Sequence, residues 1–340
     1  MANEVILRLD TAQESRVLNT QELALHKELK ARVLGWAAIE RSRRRQSSRL
    51  LQIKEGDACT RFFHQKAKGR RSRNLIAYLK DDNGCISWNH TAKESILHQH
   101  FVQILGRTAQ RTCTLNWDRL DLSCALDPSL DLQFSETEIR NTIHEMPGDK
   151  APGPDSFTGT FYKVCWHVIK DDLMAAVDCF YHLRAGPMEH LNGAYITLIP
   201  KSEVPEHARD FRPISLIHSF AKLITKTLAI RLSRHIDRLI SSSQSAFIKG
   251  RCIQDNFMYV RNLAQAYNRT KTPTLLFKLD ISKAFDTVSW EYMLELLEHR
   301  GFSHRWRNWL SLIFTSAHSS VSLNGVPGER IKACKGTPSG

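Results

Sequence analysis

One stretch limits what this chain can fold into more than any other: FKLDISKAFDTVSW, from Phe277 to Trp290. The apolar run Leu275-Leu276-Phe277-Lys278-Leu279 has the make-up of a buried strand, expected over Leu275 to Ile281, and it delivers a carboxylate, Asp280. A second carboxylate, Asp286, follows inside Ala284-Phe285-Asp286. A buried strand does not end in an unpaired carboxylate without a compensating partner. An aspartate exposed at a strand end, at the mouth of a cleft, is the type and place that holds Mg2+, which takes few carboxylates plus substrate phosphates. Taken alone, the residue reads rather as an exposed strand-end aspartate that begins a turn.

The 340 residues are enough to bury a core, as two domains or one large one. The formal net charge of +13 is concentrated, because Arg41 to Arg73 holds twelve Lys/Arg against Glu55 and Asp57. A belt that dense suits a polyanion such as nucleic acid or an acidic membrane surface. A solvated helical face used for nuclear import is the plainer alternative. Eight scattered cysteines show no metal-knuckle or redox-pair spacing. The start, MANEVILRLD, lacks a signal-peptide core, and no apolar run approaches the ~20 residues that span a bilayer. An intracellular protein, cytoplasmic or nuclear, with reduced thiols is expected.

Residues 18 to 52 carry Leu25, Leu29, Val33 and Trp36 at helical spacing and no proline, which predicts one long helix with a basic tail. Beyond it, Phe62 and Phe63 lie among Arg61, Lys66, Lys68, Arg70, Arg71 and Arg73; such rings stack bases or join a core. Asn74 to Leu79 reads as a strand closed by the turn Asp81-Asp82-Asn83-Gly84. Ser135 with Glu138 three residues on is a capping-box pattern opening a helix to about Met146. GDKAPGPDSF is an extended loop, and a helix is expected from about Thr160 to Leu183. Ala194 to Ile199 is β-rich, Arg212-Pro213 falls in a loop, and Ile224, Leu228, Leu232 and Ile236 mark a buried helical face. Ser289 to about Arg300, with Gly301 after it, is a capped helix, and Val321 to Gly325 is a strand entering a turn.

Seven pieces, in order, carry a resemblance: EGDACTRFFHQKAKGRRSRN, APGPDSFTGTFYKVCW, YITLIPK, DFRPISL, QSAFIKGRCIQDN, FKLDISKAFDTVSW and SLNGVPGERI. The chain resembles the reverse transcriptase of non-LTR retrotransposons, of the LINE type common in plants, over nearly its whole length. The resemblance implies an α+β fold: right-hand polymerase fingers and a partial palm, preceded by a helical basic N-terminal region. The divisions expected are 1–110 for that basic connector, 111–134 for a linker, 135–273 for the fingers and 274–340 for the partial palm. The implied activity is RNA-directed DNA polymerisation by two-metal nucleotidyl transfer, with RNA template, DNA primer and dNTPs as partners and Mg2+ as cofactor.

Residue by residue, the resemblance implies that Asp280 is the catalytic metal ligand, with the backbone carbonyl of Ile281 beside it. Phe285 would lie under the sugar of the incoming nucleotide and exclude a 2′-hydroxyl. Asp286 would be structural near that site. Arg212 would meet the triphosphate, with Lys201 and Lys222 as further phosphate or template contacts. Arg251 would pair with Asp255 or with nucleic acid, and Gly250 would supply a tight turn. Gly153-Pro154-Asp155 resembles a template-side loop in which Ser156 replaces a glycine. Nucleic-acid contact is expected from Arg41, Arg43, Arg44, Arg45, Arg61, Lys66, Lys68, Arg70, Arg71 and Arg73. The family continues past SLNGVPGERI into RGxxQGDPLSP and a YxDD-like hairpin. Here the last residues are KGTPSG, with Ser339 where the family has Gln, so a truncated site that is inactive alone is expected. A non-catalytic nucleic-acid-binding protein, or the inert product of a decayed element, are the alternatives.

Overall fold

The proline-free first 48 residues build two helices, and the second lies within the span, 18 to 52, where one long helix was expected. The computed structural model describes residues 2–48 (side chains to 40), 65, 68–69, 72–106, 111, 113–120, 122, 127–148, 150–184, 186, 188–279 and 288–336. Helix α1 (Ala2–Ser15) turns at Arg16–Asn19 into α2 (Thr20–Ser48). Asn19 and Glu22 cap α2 reciprocally: Glu22 N donates to Asn19 Oδ1 (2.8 Å) and Asn19 N to Glu22 Oε2 (2.9 Å). The expected apolar face is not the packed one, since Trp36 is 69% exposed. The hairpin closes instead on Leu18 and His26, whose Nε2 lies 2.7 Å from Asp10 Oδ1. Residues Met1–Leu75 form one compact unit and Ile76–Gly340 another.

The second unit is mixed helix and sheet, an α+β arrangement. Its first strands, β1 (Leu79–Lys80) and β2 (Ile86–Ser87), are shorter than the expected Asn74–Leu79 strand. Asp81 makes the turn between them, accepting from Asn83 N (2.9 Å) and Cys85 N (2.8 Å), with Gly84 at φ 82°. Helix α3 (His90–Leu105), capped by Asn89, follows. Next come α4 (Glu136–Glu145), α5 (Gly159–Val164), α6 (Trp166–Tyr181) and α7 (Met188–Leu191). The helix expected over 160–183 is thus two, broken at Cys165 without a proline or glycine.

Strand β3 (Gly193–Pro200) pairs antiparallel with β4 (Phe211–Ile217), so DFRPISL is strand rather than loop. Pro213 is tolerated because β4 is an edge strand. After β4 come α8 (Ser219–Ser233), α9 (Ile236–Leu239), α10 (Ile253–Arg269), α11 (Trp290–His299) and α12 (His304–Ser316). The last strands are β5 (His318–Leu323) and β6 (Val326–Lys332). Ile236 falls in α9, so the four-residue repeat from Ile224 outlasts its helix. Helix α11 ends as expected, with Gly301 at φ 81° and Phe302 N donating to the Leu297 carbonyl (3.0 Å). Asn324 and Gly325, at φ 55° and 92°, give the turn residues of a tight β5–β6 hairpin.

The sheet order is β4-β3-β5-β6, with β3 and β5 parallel. Asn192 sets that parallel register: its buried amide donates to the Ile313 carbonyl (2.6 Å) and Ser316 Oγ (2.9 Å). One sheet face buries Ile196, Leu198, Phe211, Val321, Leu323 and Ile331 under Leu97 and Phe101 of α3. A second core joins α4, α6, α8 and α12 around Trp309, with Phe134, Phe180 and Trp306 packed on it. Residues 272–279 form no regular structure, and Leu275, Leu276, Phe277 and Leu279 are 74–88% exposed. That overturns the buried strand expected from their composition. A strand exists only where a neighbour offers hydrogen bonds and a layer to cover it, and no described strand pairs with this run. Among the described residues no helix is long and apolar enough to cross a membrane.

Candidate nucleic-acid and nucleotide site

The β3–β4 connection is held at many points, and it ends on an exposed guanidinium. Lys201 N donates to the Asp210 carbonyl (2.9 Å) and its ammonium to the Arg209 carbonyl (2.6 Å). Asp210 Oδ2 accepts from His207 N (2.8 Å) and Glu206 N (3.1 Å). Those amide donors, His207's first, hold the Asp210 carboxyl below its ordinary value. Glu206 in turn bridges to Lys80 at 2.6 Å. Immediately after this braced loop, Arg212 stands exposed on β4 opposite Ile199. A guanidinium on a rigid strand can bind a phosphate bidentately with little ordering cost.

The GPDS loop is docked on the start of α8. A Cβ on Gly153 would come within 2.2 Å of the Ile217 carbonyl oxygen, so the close approach requires glycine. Asp155, buried, accepts from Ser219 N (2.7 Å) and from Ser219 Oγ, and lies 3.1 Å from His218 Nδ1. A carboxylate 64 positions away therefore caps the helix, where amide donors and the macrodipole favour negative charge. Tyr162 closes the network, its hydroxyl 2.6 Å from Ser219 Oγ, and burial pushes its pKa up. On the next turn Lys222 is half-buried: burial draws its pKa down, against the opposing pull of Asp155. Ser156 does adopt a left-handed backbone, φ 61°.

Arg251 has different partners from those expected. Its guanidinium bonds Asp237 Oδ1 (2.7 Å) and the carbonyls of Ser241 (2.6 Å) and Gln244 (2.7 Å), and Asp255 is not its partner. Gly250 does make a turn, at φ 86°. Lys68 and Arg73 are exposed. Arg41, Arg43, Arg44 and Arg45 lie in α2, and their side chains are outside the described residues, as are Arg61, Lys66, Arg70 and Arg71.

Asp280, Ile281, Phe285 and Asp286 also lie outside the described residues, so the carboxylate motif is seen only at its ends. At the near end it is pinned: Gly336 N donates to the Val288 carbonyl (2.8 Å) and Trp290 Nε1 to the Gly336 carbonyl (2.6 Å). Trp290 stacks on Phe314, centroids 5.3 Å apart. Both rings line a cavity of about 240 Å3 that also touches Ile196, Phe211 and Lys335. Among the described residues no three His, Cys, Asp or Glu side chains gather as a metal site.

Sequence reasoning missed Arg231, buried in α8. It bonds both oxygens of Glu138 (2.7 Å each) and the carbonyls of Leu130 (2.9 Å) and Leu132 (2.7 Å), and lies over the Phe134 ring. Only its position on the buried face of the Ile224–Leu228 helix hinted at this.

Residues 199–340 match the family model described as reverse transcriptase (RNA-dependent DNA polymerase). The chain thus carries a reverse transcriptase domain. The relatives it is similar to are proteins of non-LTR, LINE-type retrotransposable elements. The uncharacterized 149 kDa protein of transposon TX1 from Xenopus laevis is 24% identical over 317 residues, 92% of this chain and 24% of its own length. The retrovirus-related Pol polyprotein of type-1 retrotransposable element R2 from Nasonia vitripennis is 23% identical over 56% of this chain and 18% of its own length. The probable RNA-directed DNA polymerase from transposon X-element of Drosophila melanogaster is 26% identical over 53% and 20%. The chain spans a quarter or less of the length of these relatives.

Proposed function

We propose that this chain forms the fingers and the beginning of the palm of an RNA-directed DNA polymerase, working on RNA template, DNA primer and dNTPs. The observation that carries the reading is the braced β3–β4 connection presenting Arg212 within the stretch that matches the reverse transcriptase family. In this reading Arg212 holds the triphosphate, Lys222 and the GPDS loop border the template path, and Phe285 selects the deoxy sugar. Asp280 and the Ile281 carbonyl would hold Mg2+, which activates the 3′-hydroxyl and steadies the leaving phosphates when bound. Arg41 to Arg73 would bind the nucleic-acid backbone without reading sequence.

A site needs more ligands than Asp280 alone, and losing such ligands removes several kcal/mol of metal-dependent acceleration. These 340 residues by themselves are therefore expected to bind template–primer without extending it. A primer-extension assay with RNA template, dNTPs and Mg2+ tests this; extension that Asp280→Asn abolishes would overturn it. Binding should weaken steeply with salt and with the 41–45 arginines changed to alanine. An affinity flat in salt would remove the nucleic-acid reading altogether.

A further inference from the structure

One cavity of the second unit has a lining whose charges do not balance. It lies between α3, the sheet and α12, measures about 240 Å3, and is lined by Ile196, Phe211 and Ile313. One wall is flat, because the Trp290 and Phe314 rings stack at 5.3 Å with their planes 10° apart. The Trp290 indole N–H is spent on the Gly336 carbonyl (2.6 Å), so this wall offers a ligand apolar ring surface. Around the apolar space stand three cations, Lys201, Arg209 and Lys335, and among the described residues no Asp or Glu lines it. Lys201 donates to a backbone carbonyl, that of Arg209. The side chains of Arg209 and Lys335 have no hydrogen-bond or ion-pair partner among the described residues. Lys335 is also half-buried.

A half-buried ammonium without an acceptor loses hydration with no compensating bond. Cations on an apolar cavity with no counter-charge therefore select among ligands. A neutral apolar molecule leaves the ammonium uncompensated, and a cationic one is repelled. A molecule with an apolar body and one anionic group satisfies both the walls and Lys335. The cavity is also separate from the surface that carries Arg212. Phe211, Pro213, Ser215 and Ile217 line it, so Arg212, which alternates with them on β4, belongs to the opposite face of the sheet.

We infer that this cavity is a binding site for a small aromatic carboxylate, its ring on the Trp290–Phe314 wall and its carboxylate on Lys335. Lys201 and Arg209, exposed at the rim, add to the attraction. The assignment goes beyond the polymerase reading and does not depend on it.

Titration calorimetry of the 340-residue chain with 2-naphthoate tests this, beside its neutral counterpart 2-naphthalenemethanol and the cationic 2-naphthylmethylamine. The acid should bind one molecule per chain, roughly ten-fold or more tighter than the alcohol, and the amine should show no saturable binding. Lys335→Met keeps the apolar length of the side chain. It should weaken the acid roughly ten-fold, leave the alcohol unchanged, and not lower the unfolding midpoint, because the ammonium has no partner to lose. Ser215→Phe, which sets a ring into the cavity from the edge strand, should block both acid and alcohol. Should that variant fail to fold, Lys335→Met and the charge series decide alone. An excess of dATP with Mg2+ should leave binding of the acid unchanged. The assignment falls if the acid shows no saturable binding, if acid and alcohol bind equally, if Lys335→Met has no effect, or if dATP displaces the acid. Primer extension and the salt dependence of nucleic-acid binding are read separately, so either reading can fail without the other.

Discussion

Ser156 is a residue whose backbone and side chain disagree. At φ 61° in the docked GPDS loop it occupies a region that glycine enters freely and serine enters at a cost of about 1 kcal/mol. Ser156→Gly should stabilise the second unit by up to that amount, less what glycine adds to unfolded-state freedom, read as a higher urea midpoint. His318 makes a second case. Burial, and after it the charge of Arg330 beside the ring, hold its pKa below the ordinary value; the Ser316 carbonyl, Glu189 and His218 also act on it, the last lowering it further. The folded chain then keeps a neutral imidazole where the unfolded chain takes up a proton. Stability present above pH about 6.5 should fall as the pH drops through that value. His318→Asn should flatten that part of the curve, measured as unfolding midpoint between pH 7.5 and 5.5. What was legible at this scale was what is local. Ser135 caps α4 through a bond to Glu138 N three residues on. The other half of that box is absent, because the Glu138 carboxylate is taken by Arg231, 93 positions away. A pairing that distant leaves no periodic trace.

Elements were legible where their pattern is carried by their own residues. Helices α4 and α11 and the β5–β6 hairpin fall close to where caps, periodicity and the Asn-Gly turn place them. Strand β4 was misread because Pro213 speaks for a loop, and only knowledge that β4 is an edge reverses that. The run at 275–279 failed in the opposite way, its strand composition having no neighbour among the described strands. The break at Cys165 has no breaker residue. Helix α12 shows what burial contributes once a face is placed: Trp306, Trp309 and Ile313 are all buried, and Trp309 Nε1 also donates to the Tyr181 carbonyl (3.1 Å). Trp309→Ala should cost about 3–5 kcal/mol from lost transfer energy and the cavity left among Phe134, Phe180 and Trp306. Trp309→Phe should cost less, and the difference between the two, in denaturant unfolding, separates ring volume from the indole hydrogen bond.

At the scale of the molecule, family and basic character were readable from seven ordered pieces and a charge count, whereas the nominated metal ligand lies outside the described residues. The second unit joins its extremes. Asn324 bonds both the amide (2.9 Å) and the carbonyl (3.1 Å) of Ile76 across 248 positions, and α3 lies on the sheet that β5 and β6 complete. Deleting residues 318–340 should therefore do more than remove a hairpin. Slow amide exchange in α3, around Leu97 and Phe101, is expected to be lost along with it, measurable by hydrogen exchange and mass spectrometry.

That stitching of first to last has a consequence for the chain as it is being made. At about 5–20 residues per second, roughly 12–50 seconds separate the emergence of Ile76 from that of Asn324. Throughout that interval the apolar side of α3 has no sheet to lie on. A nascent chain in which the first helix of the second unit waits for β5 and β6 is a substrate for chaperones, and each ribosomal pause between them prolongs its exposure.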